Sequence, residues 1–406
     1  MLKAASLAYA IFITLIIAIL CYSVLLVFSL NNNLENYFDL RKKLLMHNQS
    51  AIAVIRANYS NIEELNSFRL FPEDGDITTT VKMSPWGAFK QAQIITHLKK
   101  DTVQQGYLFA NAHHKNSPAL YLRDNDENFK IAGNTYIQGD IYISNKGLKK
   151  VTITGHQSGN KPIHNGKINT SEKNLPNIST IRLIYPQDFI YIEAEDIKSH
   201  SIINGFDQKT KVIKIGAVLE NIKLKGNIIV QSNDTIQVLN TAILEDIIIE
   251  APKVVFHSGF KGSLQVFASN EVVLDPGVVL DYPSVLIIES DFDNKDNTIV
   301  FKENSQMNGM VVLYGEGLKT ESKNNVIIEA GSTVTGSIYC DGKLSLYGSV
   351  KGTVVASALE HKTHTTNHSN LILDASIFSD SIPRPYFNFQ PLEKYKTTYP
   401  IILKQL

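Results

Sequence analysis

Residues 330–357 read AGSTVTGSIYCDGKLSLYGSVKGTVVAS, a series of short apolar runs separated by glycine every few positions. Many of the apolar residues are β-branched, which favours strands over helices. Glycine adopts positive φ angles without steric cost, so a chain with this spacing can turn a sharp corner after each strand. The stretch therefore predicts short strands that meet at tight corners, and it carries no run of charge and no nucleophile beside a base.

The same layout begins the β-rich part of the chain. Residues 132–142 read AGNTYIQGDIY and residues 330–339 read AGSTVTGSIY, with glycines in corresponding places. Between them, short apolar runs end in Gly, Asn, Asp or Pro and give an imperfect repeat of about 17–22 residues. The pattern predicts a mainly β fold, a right-handed parallel β-helix over residues 131–358, with coils about 4.8 Å apart. The rival fold is a β-sandwich, which needs longer alternating strands and clearer hairpin turns.

Two segments resemble known families. Residues 325–357, NVIIEAGSTVTGSIYCDGKLSLYGSVKGTVVAS, resemble the coils of bactofilins and related polymer-forming β-helix proteins. That resemblance implies a β-helix whose coils assemble end to end into filaments. The segment GNTYIQGDIYISNKGLKKVTITGHQSG is similar to part of uncharacterised membrane-anchored proteins of the Bacteroidetes group, a resemblance that implies no activity.

Residues 4–30, AASLAYAIFITLIIAILCYSVLLVFSL, carry no charge. As a helix, a segment of this length spans about 40 Å, enough to cross a bilayer with some tilt. The apolar run is too long for a cleaved signal peptide, and no small-x-small site follows it. Leu20 before Cys21 also disfavours a lipoprotein site. We therefore expect residues 1–30 to be a retained transmembrane anchor.

The orientation of this anchor rests on two conflicting features. Lys3 precedes the span while Arg41, Lys42 and Lys43 follow it, and a strict count of basic residues favours a cytoplasmic C-terminal side. A three-residue tail followed by a large Thr/Asn/Gly-rich β domain is more usual outside the cytoplasm. We expect the bulk of the chain to be extracytoplasmic, in the periplasm or at the cell surface.

Residues 31–60 read as a helical stalk that begins after a break at residues 31–33 and continues to about Ala57. Phe38, Leu45, Ile52 and Tyr59 are spaced by seven, which is half of a coiled-coil seam. The alternative is a helix that packs on its own domain. A long apolar helix that continues as an amphipathic one resembles the N-terminal stalk of type IV pilins and pseudopilins, although the Gly-Phe processing junction and the acidic residue of that family are missing. The resemblance implies a minor-pilin-like subunit.

The regions on either side of the repeats are less regular. Residues 61–130 are expected to form a small α+β module, with a strand–turn–helix mixture in TTTVKMSPWGAFKQAQIITHL. Trp86 reads as a packing anchor or as a ligand-stacking platform. His113 and His114 read as solvated side chains or as metal ligands. Residues 359–406 form a tail that could cap the unpaired backbone of the last coil.

Few residues suggest chemistry. Asp291, Asp293 and Asp296 could hold Ca²⁺, but no Gly or closing Glu completes a cage, and a polar loop is the favoured interpretation. His361, His364 and His368 are either a metal cluster or part of a solvated linker. Cys340 is a reactive thiol or a small buried residue. No phosphate-binding or dinucleotide fingerprint is present, so we predict no catalytic residue and no cofactor.

The chain has 39 basic and 39 acidic residues, and this zero net charge argues against a general nucleic-acid binder. We expect a non-catalytic, membrane-anchored structural or assembly component of the bacterial cell envelope, of pilus-, secretion- or surface-machinery type. Its expected partners are the membrane and other envelope proteins or further copies of itself. One alternative is a carbohydrate-binding or carbohydrate-active β-helix with a groove of aligned carboxylates and aromatics. The other is a filament-forming scaffold with uncapped coil ends.

Overall fold

A computed structural model of the chain describes residues 2–57, 67–112, 117–153, 155–156, 162–178, 181–193, 200–290, 296–315, 324–363, 366–383, 385–388 and 400–406. The described residues group into two compact units. The first unit comprises residues 1–82 and 93–105, and the second comprises residues 83–92 and 106–406.

In the described part of the first unit the one α-helix is α1 (Leu2–Ala57), which continues through the three asparagines at 31–33 where a break was expected. Asparagine disfavours a helix interior by only a few tenths of a kcal/mol relative to its neighbours, and the segment contains neither Pro nor Gly. Fifty-six residues give a helix about 84 Å long. The helix is long and apolar enough to cross a membrane, and its most apolar stretch is not buried by the protein.

The last part of α1 packs within its own unit. Leu44, His47, Asn48, Ala51 and Ile55 are buried, and their spacing of three or four places them on one face of the helix. Asn48 Nδ2 donates hydrogen bonds to the carbonyls of Ile94 at 2.9 Å and Val103 at 3.3 Å. This agrees with the interpretation of the stalk as a helix that packs on its own domain.

A five-stranded sheet begins with β1 (Ser67–Phe68), β2 (Thr78–Trp86), β3 (Phe89–Leu98) and β4 (Asp101–Asn111). The sheet runs in that order and ends with the strand Pro400–Gln405, which pairs antiparallel with β4. Residues 89–98, expected to be partly helical, form a strand because their burial largely alternates and Ile94, Ile95 and Thr96 are β-branched. The described part of the module, residues 67–112, therefore contains strands and a short 3₁₀ turn at Pro72–Asp74 but no α-helix.

The other described strands belong to the second unit. They are β5 (Leu120–Leu122), β6 (Phe129–Ala132), β7 (Tyr136–Gln138), β8 (Ile141–Ile143), β9 (Leu148–Lys150), β10 (His164–Asn165), β11 (Ile168–Thr170), β12 (Phe189–Glu193), β13 (Ser201–Asn204), β14 (Thr210–Lys214), β15 (Val218–Leu219), β16 (Lys223–Gly226), β17 (Ile228–Gln231), β18 (Thr235–Val238), β19 (Ile243–Phe256), β20 (Lys261–Leu274), β21 (Val279–Glu289), β22 (Thr298–Phe301), β23 (Gln306–Tyr314), β24 (Asn325–Ile328), β25 (Thr333–Leu346), β26 (Ser349–Lys362), β27 (Asn367–Ser369), β28 (Leu371–Leu373), β29 (Ser376–Phe378) and β30 (Pro400–Gln405).

Most of these strands pair in parallel with a strand one repeat further along the chain. The sequence distance between such paired residues varies from 15, between Lys343 and Ala358, to 27, between Met310 and Ser337. Residues that point to the same side of the strands form continuous apolar columns. One fully buried column contains Ile249, Val266, Leu286, Val311, Ile338 and Val354. Each such side chain contributes about 1.5–3 kcal/mol by leaving water.

The glycines of the 330–357 stretch lie directly beside one another in this ladder. Gly309 pairs with Gly336, and Gly336 pairs with Gly352, all three at positive φ. A Cβ atom on Gly336 would lie 1.8 Å from the Gly309 carbonyl oxygen, and one on Gly352 would lie 1.8 Å from the Gly336 oxygen. Neighbouring strands approach so closely at this position that no side chain fits between them, which accounts for the glycine spacing.

The order of strands in the ladder differs from their order in the chain. The edge of β26 pairs with β5 through Val354 and Leu120 and with β29 through Val350 and Ile377. β5 then pairs with β8, and β8 with β11. Strands β5, β8 and β11 therefore lie beyond β26 rather than before β12, although the sequence placed the first repeat at residue 131 and the last at 358. Short parallel strands of similar apolar pattern do not specify which neighbour they pair with.

The pairings of β26 concern two expectations from the sequence: a C-terminal tail that caps the last coil, and a filament with uncapped coil ends. Strands β5 and β29, rather than the C-terminal tail alone, cover the backbone edge of β26. The edge of β26 is therefore an internal position of the ladders. The filament hypothesis concerns the ends of the ladders, and it stays a prediction. The outermost described strands at the two ends of the ladders are β9, β10 and β11 at one end and β12, β13 and β15 at the other.

A segment that we call the strap, residues 171–178 and 181–188, returns from β11 to β12 along the outside of the ladders. In its first part, the strap accepts a hydrogen bond at the Pro176 carbonyl from the Tyr339 hydroxyl, at 3.1 Å. Further along, the Ile181 amide donates to the Tyr314 hydroxyl at 3.1 Å. The strap contacts β25, then β23, then β21 and β19, so it crosses these strands in the reverse of their order in the chain.

Candidate functional site

The acidic candidates do not define a metal site in the described structure. Asp291 and Asp293 lie outside the described residues, and Asp296 is described and exposed. Across the ranges that the structure describes, no group of three or more His, Cys, Asp or Glu side chains is close enough to hold a metal ion. The polar-loop interpretation of this segment therefore stays a prediction, with calcium binding as its untested alternative.

Two of the three C-terminal histidines face each other. His361 on β26 and His368 on β27 are partners in an antiparallel pair, while His364 lies outside the described residues, as do His113 and His114. His361 is buried, with its ring 4.8 Å from the ring of Tyr347. Burial, and then the nearby His368 and His156, lower the pKa of His361. The His361 ring is therefore held neutral, as part of a packed hairpin.

Cys340 and Trp86 are both packing residues. Cys340 is fully buried in the ladder, and burial raises the pKa of its thiol, so the reactive thiolate is disfavoured. The Trp86 side chain is buried against the edge of the Phe206 ring, with ring centroids 5.2 Å apart. A side chain enclosed in this way is not available as a stacking platform for a ligand.

The structure shows a groove that the sequence did not indicate. It lies between the strap and the turns of successive coils and has a volume of about 500 Å³. On the strap side it is lined by Ile181, Arg182 and Leu183. On the ladder side it is lined by Gln231, Ser232, Asn233, Glu250, Ala251, Pro252, Phe267, Ala268, Ser269, Ile287 and Glu289. We call this feature the strap groove.

Two carboxylates lie in the strap groove, and both are hydrogen-bonded. Glu289 accepts from Arg182, whose Nε and Nη2 lie 2.9 and 2.7 Å from Glu289 Oε1. Glu250 Oε2 accepts from the Tyr185 hydroxyl and from Gln231 Nε2, the latter at 3.1 Å. Burial and then the bond to Glu250 raise the pKa of Tyr185, so its hydroxyl stays protonated as a donor. The residues of this groove are spread over more than a hundred positions, and local sequence patterns carry no trace of it.

Comparisons with known proteins give little further information. No protein-family model matches the chain, and no curated protein sequence matches it. Among solved structures, the chain is similar to the competence-associated pilin ComZ from Thermus thermophilus, at 7% sequence identity and a TM-score of 0.19. The similarity covers 89% of this chain and 96% of the pilin. At that TM-score it supports no argument about fold or function.

Proposed function

We propose that the protein is a single-pass membrane protein with an extracytoplasmic, right-handed parallel β-helix, and that it serves as a non-catalytic structural or assembly component of the cell envelope. The parallel ladders with a repeating spacing support the β-helix. The exposed apolar part of α1 supports the membrane anchor.

The observation that carries the assembly role lies just beyond the apolar span. Leu34, Tyr37 and Phe38 are 54%, 48% and 65% exposed on α1. Their spacing of three and four places them on one face of the helix. In a solitary anchored chain these large side chains would lie in water or at the membrane surface. A second helix from the same assembly would bury them.

The state of the groove carboxylates supports a non-catalytic role. Arg182 holds Glu289 in a forked ion pair, and Tyr185 and Gln231 hold Glu250. Glycoside hydrolysis needs one carboxyl group that retains a proton near neutral pH and a second, ionised one placed across the scissile bond. In this groove both carboxylates are instead engaged by donors of the protein itself.

Site-specific photocrosslinking in native membranes tests the assembly role. A photoreactive side chain in place of Phe38 should form adducts with protein, either with a second copy or with another subunit. Asn36 is also exposed but lies on the opposite face of α1, so the same photoreactive group there is the matched control and should give far fewer adducts. Absence of protein adducts at position 38, or equal adducts at both positions, would contradict the proposed role.

A further inference from the structure

The strap groove runs across several neighbouring strands, along a row of residues that are paired with one another. Gln231 pairs with Glu250, Glu250 with Phe267, and Phe267 with Ile287. Paired strands lie about 4.7–4.9 Å apart, so these four residues extend over about 14 Å along the ladder. The groove therefore offers an elongated surface with one row of side chains per coil, and the strap residues 181–183 form its opposite wall.

Several polar groups of the groove have hydrogen-bonding capacity that the protein does not use. Asn233 and Ser269 are exposed, and within the described part of the chain their side chains contact no protein donor or acceptor. Glu250 Oε1 is also left to accept, because both of the bonds to this carboxylate go to Oε2. The groove thus presents an amide, a hydroxyl and a carboxylate oxygen, a mixture of donors and acceptors.

The remaining lining gives the groove an apolar floor and a small charge. Ala251, Ala268 and Ile287 are buried beneath the polar groups. Arg182 offsets one of the two carboxylates, which leaves about one negative charge. A site for phosphate or for an acidic polymer would need an excess of basic side chains.

From these features we infer that the strap groove binds a neutral, unbranched oligosaccharide. Sugar hydroxyls both donate and accept hydrogen bonds, which matches the unused amide, hydroxyl and carboxylate groups. The C–H faces of the sugar rings match the apolar floor. The row spacing along the coils is close to the length of one pyranose unit, so successive sugars meet successive coils. This inference concerns the second unit alone and does not depend on the assembly role proposed for α1.

Saturation-transfer NMR and calorimetry on the full-length protein test the inference. The protein is placed in lipid nanodiscs, because glycoside detergents would compete for the groove. The probes are cellotetraose, laminaritetraose, maltotetraose and chitotetraose, with trigalacturonate as the acidic counterpart. We expect at least one of the four neutral tetrasaccharides to bind, and the acidic trisaccharide to bind more weakly or not at all.

A double variant and a matched control locate the site. Asn233→Ala with Ser269→Ala removes the two unused side chains from the groove, and we expect binding to weaken about tenfold, since each neutral hydrogen bond contributes a factor of several. Asn145→Ala with Ser258→Ala makes the same changes at exposed positions outside the groove and should leave binding unchanged. The inference is overturned if all four neutral probes fail to bind at millimolar concentration. It is also overturned if trigalacturonate binds more tightly, or if both double variants behave alike.

Discussion

The side-chain amide of Gln265 holds the backbone of the turn that follows Trp86. Gln265 Nε2 donates to the Trp86 carbonyl at 3.0 Å, and Gln265 Oε1 accepts from the Ala88 amide at 2.7 Å. Gly87, between the two, has φ +59°, and a Cβ there would lie 2.3 Å from Gln265 Oε1. One glutamine of the ladder thus provides a hydrogen-bond partner for both the Trp86 carbonyl and the Ala88 amide, which is 177 residues away in sequence.

We predict that Gln265→Ala lowers the free energy of unfolding by about 2–4 kcal/mol. The substitution leaves the Trp86 carbonyl and the Ala88 amide without their partner in a largely buried place, and each unsatisfied group costs about 1–3 kcal/mol. Urea unfolding measures the loss, and hydrogen–deuterium exchange should show faster exchange for a peptide covering residues 83–92. Gln306→Ala, at an exposed strand position, is the control and should change neither quantity. Unchanged hydrogen–deuterium exchange of this peptide in the Gln265 variant would show that Gln265 does not hold the turn.

We predict that Gly336→Ala destabilises the ladder by about 3 kcal/mol or more. The new methyl group would meet the Gly309 carbonyl oxygen at 1.8 Å, and the position has φ +132°. Overpacking and backbone strain each cost about 1–3 kcal/mol. Gly277→Ala is the matched control, since Gly277 also has a positive φ of +76° but no atom within 4 Å of its Cβ position.

The control variant should therefore lose only about 1 kcal/mol, the cost of a left-handed backbone for an L-residue. Thermal unfolding followed by circular dichroism compares the two glycine variants. Similar losses in both would show that strain alone, and not the contact between neighbouring coils, determines the glycine requirement at position 336.

The features that could be predicted from the sequence are those encoded over a few neighbouring residues. The β-branched runs beside the glycines at 336 and 352 predict strands, and the structure has them. The strands are longer than expected, because β25 and β26 have 14 residues each and continue through the two glycines, which keep positive φ angles. The uncharged run at 4–30 predicts an apolar helix, and α1 contains it. In these cases the local conformation is determined by residues that lie within the same short segment.

The features that could not be predicted depend on partners far away in the chain. Leu120 pairs with Val354 across more than two hundred residues, and many short apolar strands would suit that edge equally well. The strap groove combines Arg182 with Glu250 and Glu289, which share no local pattern. Gln265 gives no local indication that it holds the turn after Trp86.

We predict that His361 makes the protein less stable in mild acid. Burial lowers the pKa of His361 in the folded state, and His368, His156 and Asp374 face it. In the unfolded chain a histidine titrates near pH 6.5, so below about that pH the unfolded state binds more protons than the folded state. The stability that depends on neutral His361 is therefore present above this pH and is lost as the pH falls.

The fall in the unfolding midpoint between neutral and mildly acidic pH should be smaller in His361→Gln than in the wild type. His200→Gln, which changes an exposed histidine, is the control and should retain the wild-type dependence. Identical pH profiles for the His361 variant and the wild type would show that the buried imidazole does not contribute to the acid sensitivity.

We predict that the second unit lies outside the cytoplasmic membrane, and cysteine labelling can decide this. The chain has two native cysteines; Cys21 lies in the apolar span, and Cys340 is buried in the ladder. An Asn145→Cys variant places a thiol on an exposed turn of the second unit. A membrane-impermeant maleimide should label it in cells whose outer barrier has been permeabilised, without lysis of the cytoplasmic membrane. Lys3→Cys, before the span, should react only after lysis.

The reversed pattern, with Lys3→Cys labelled in intact cells and Asn145→Cys labelled only after lysis, would place the ladders in the cytoplasm. That outcome would agree with the basic residues Arg41, Lys42 and Lys43, which follow the span and outnumber the single Lys3 before it. Those three residues lie at least a full helical turn beyond the apolar run, and Lys43 forms an ion pair with Asp74 at 3.2 Å. The large Thr/Asn/Gly-rich β domain that follows the span favours the other side of the membrane, and for this reason we expect the extracytoplasmic orientation.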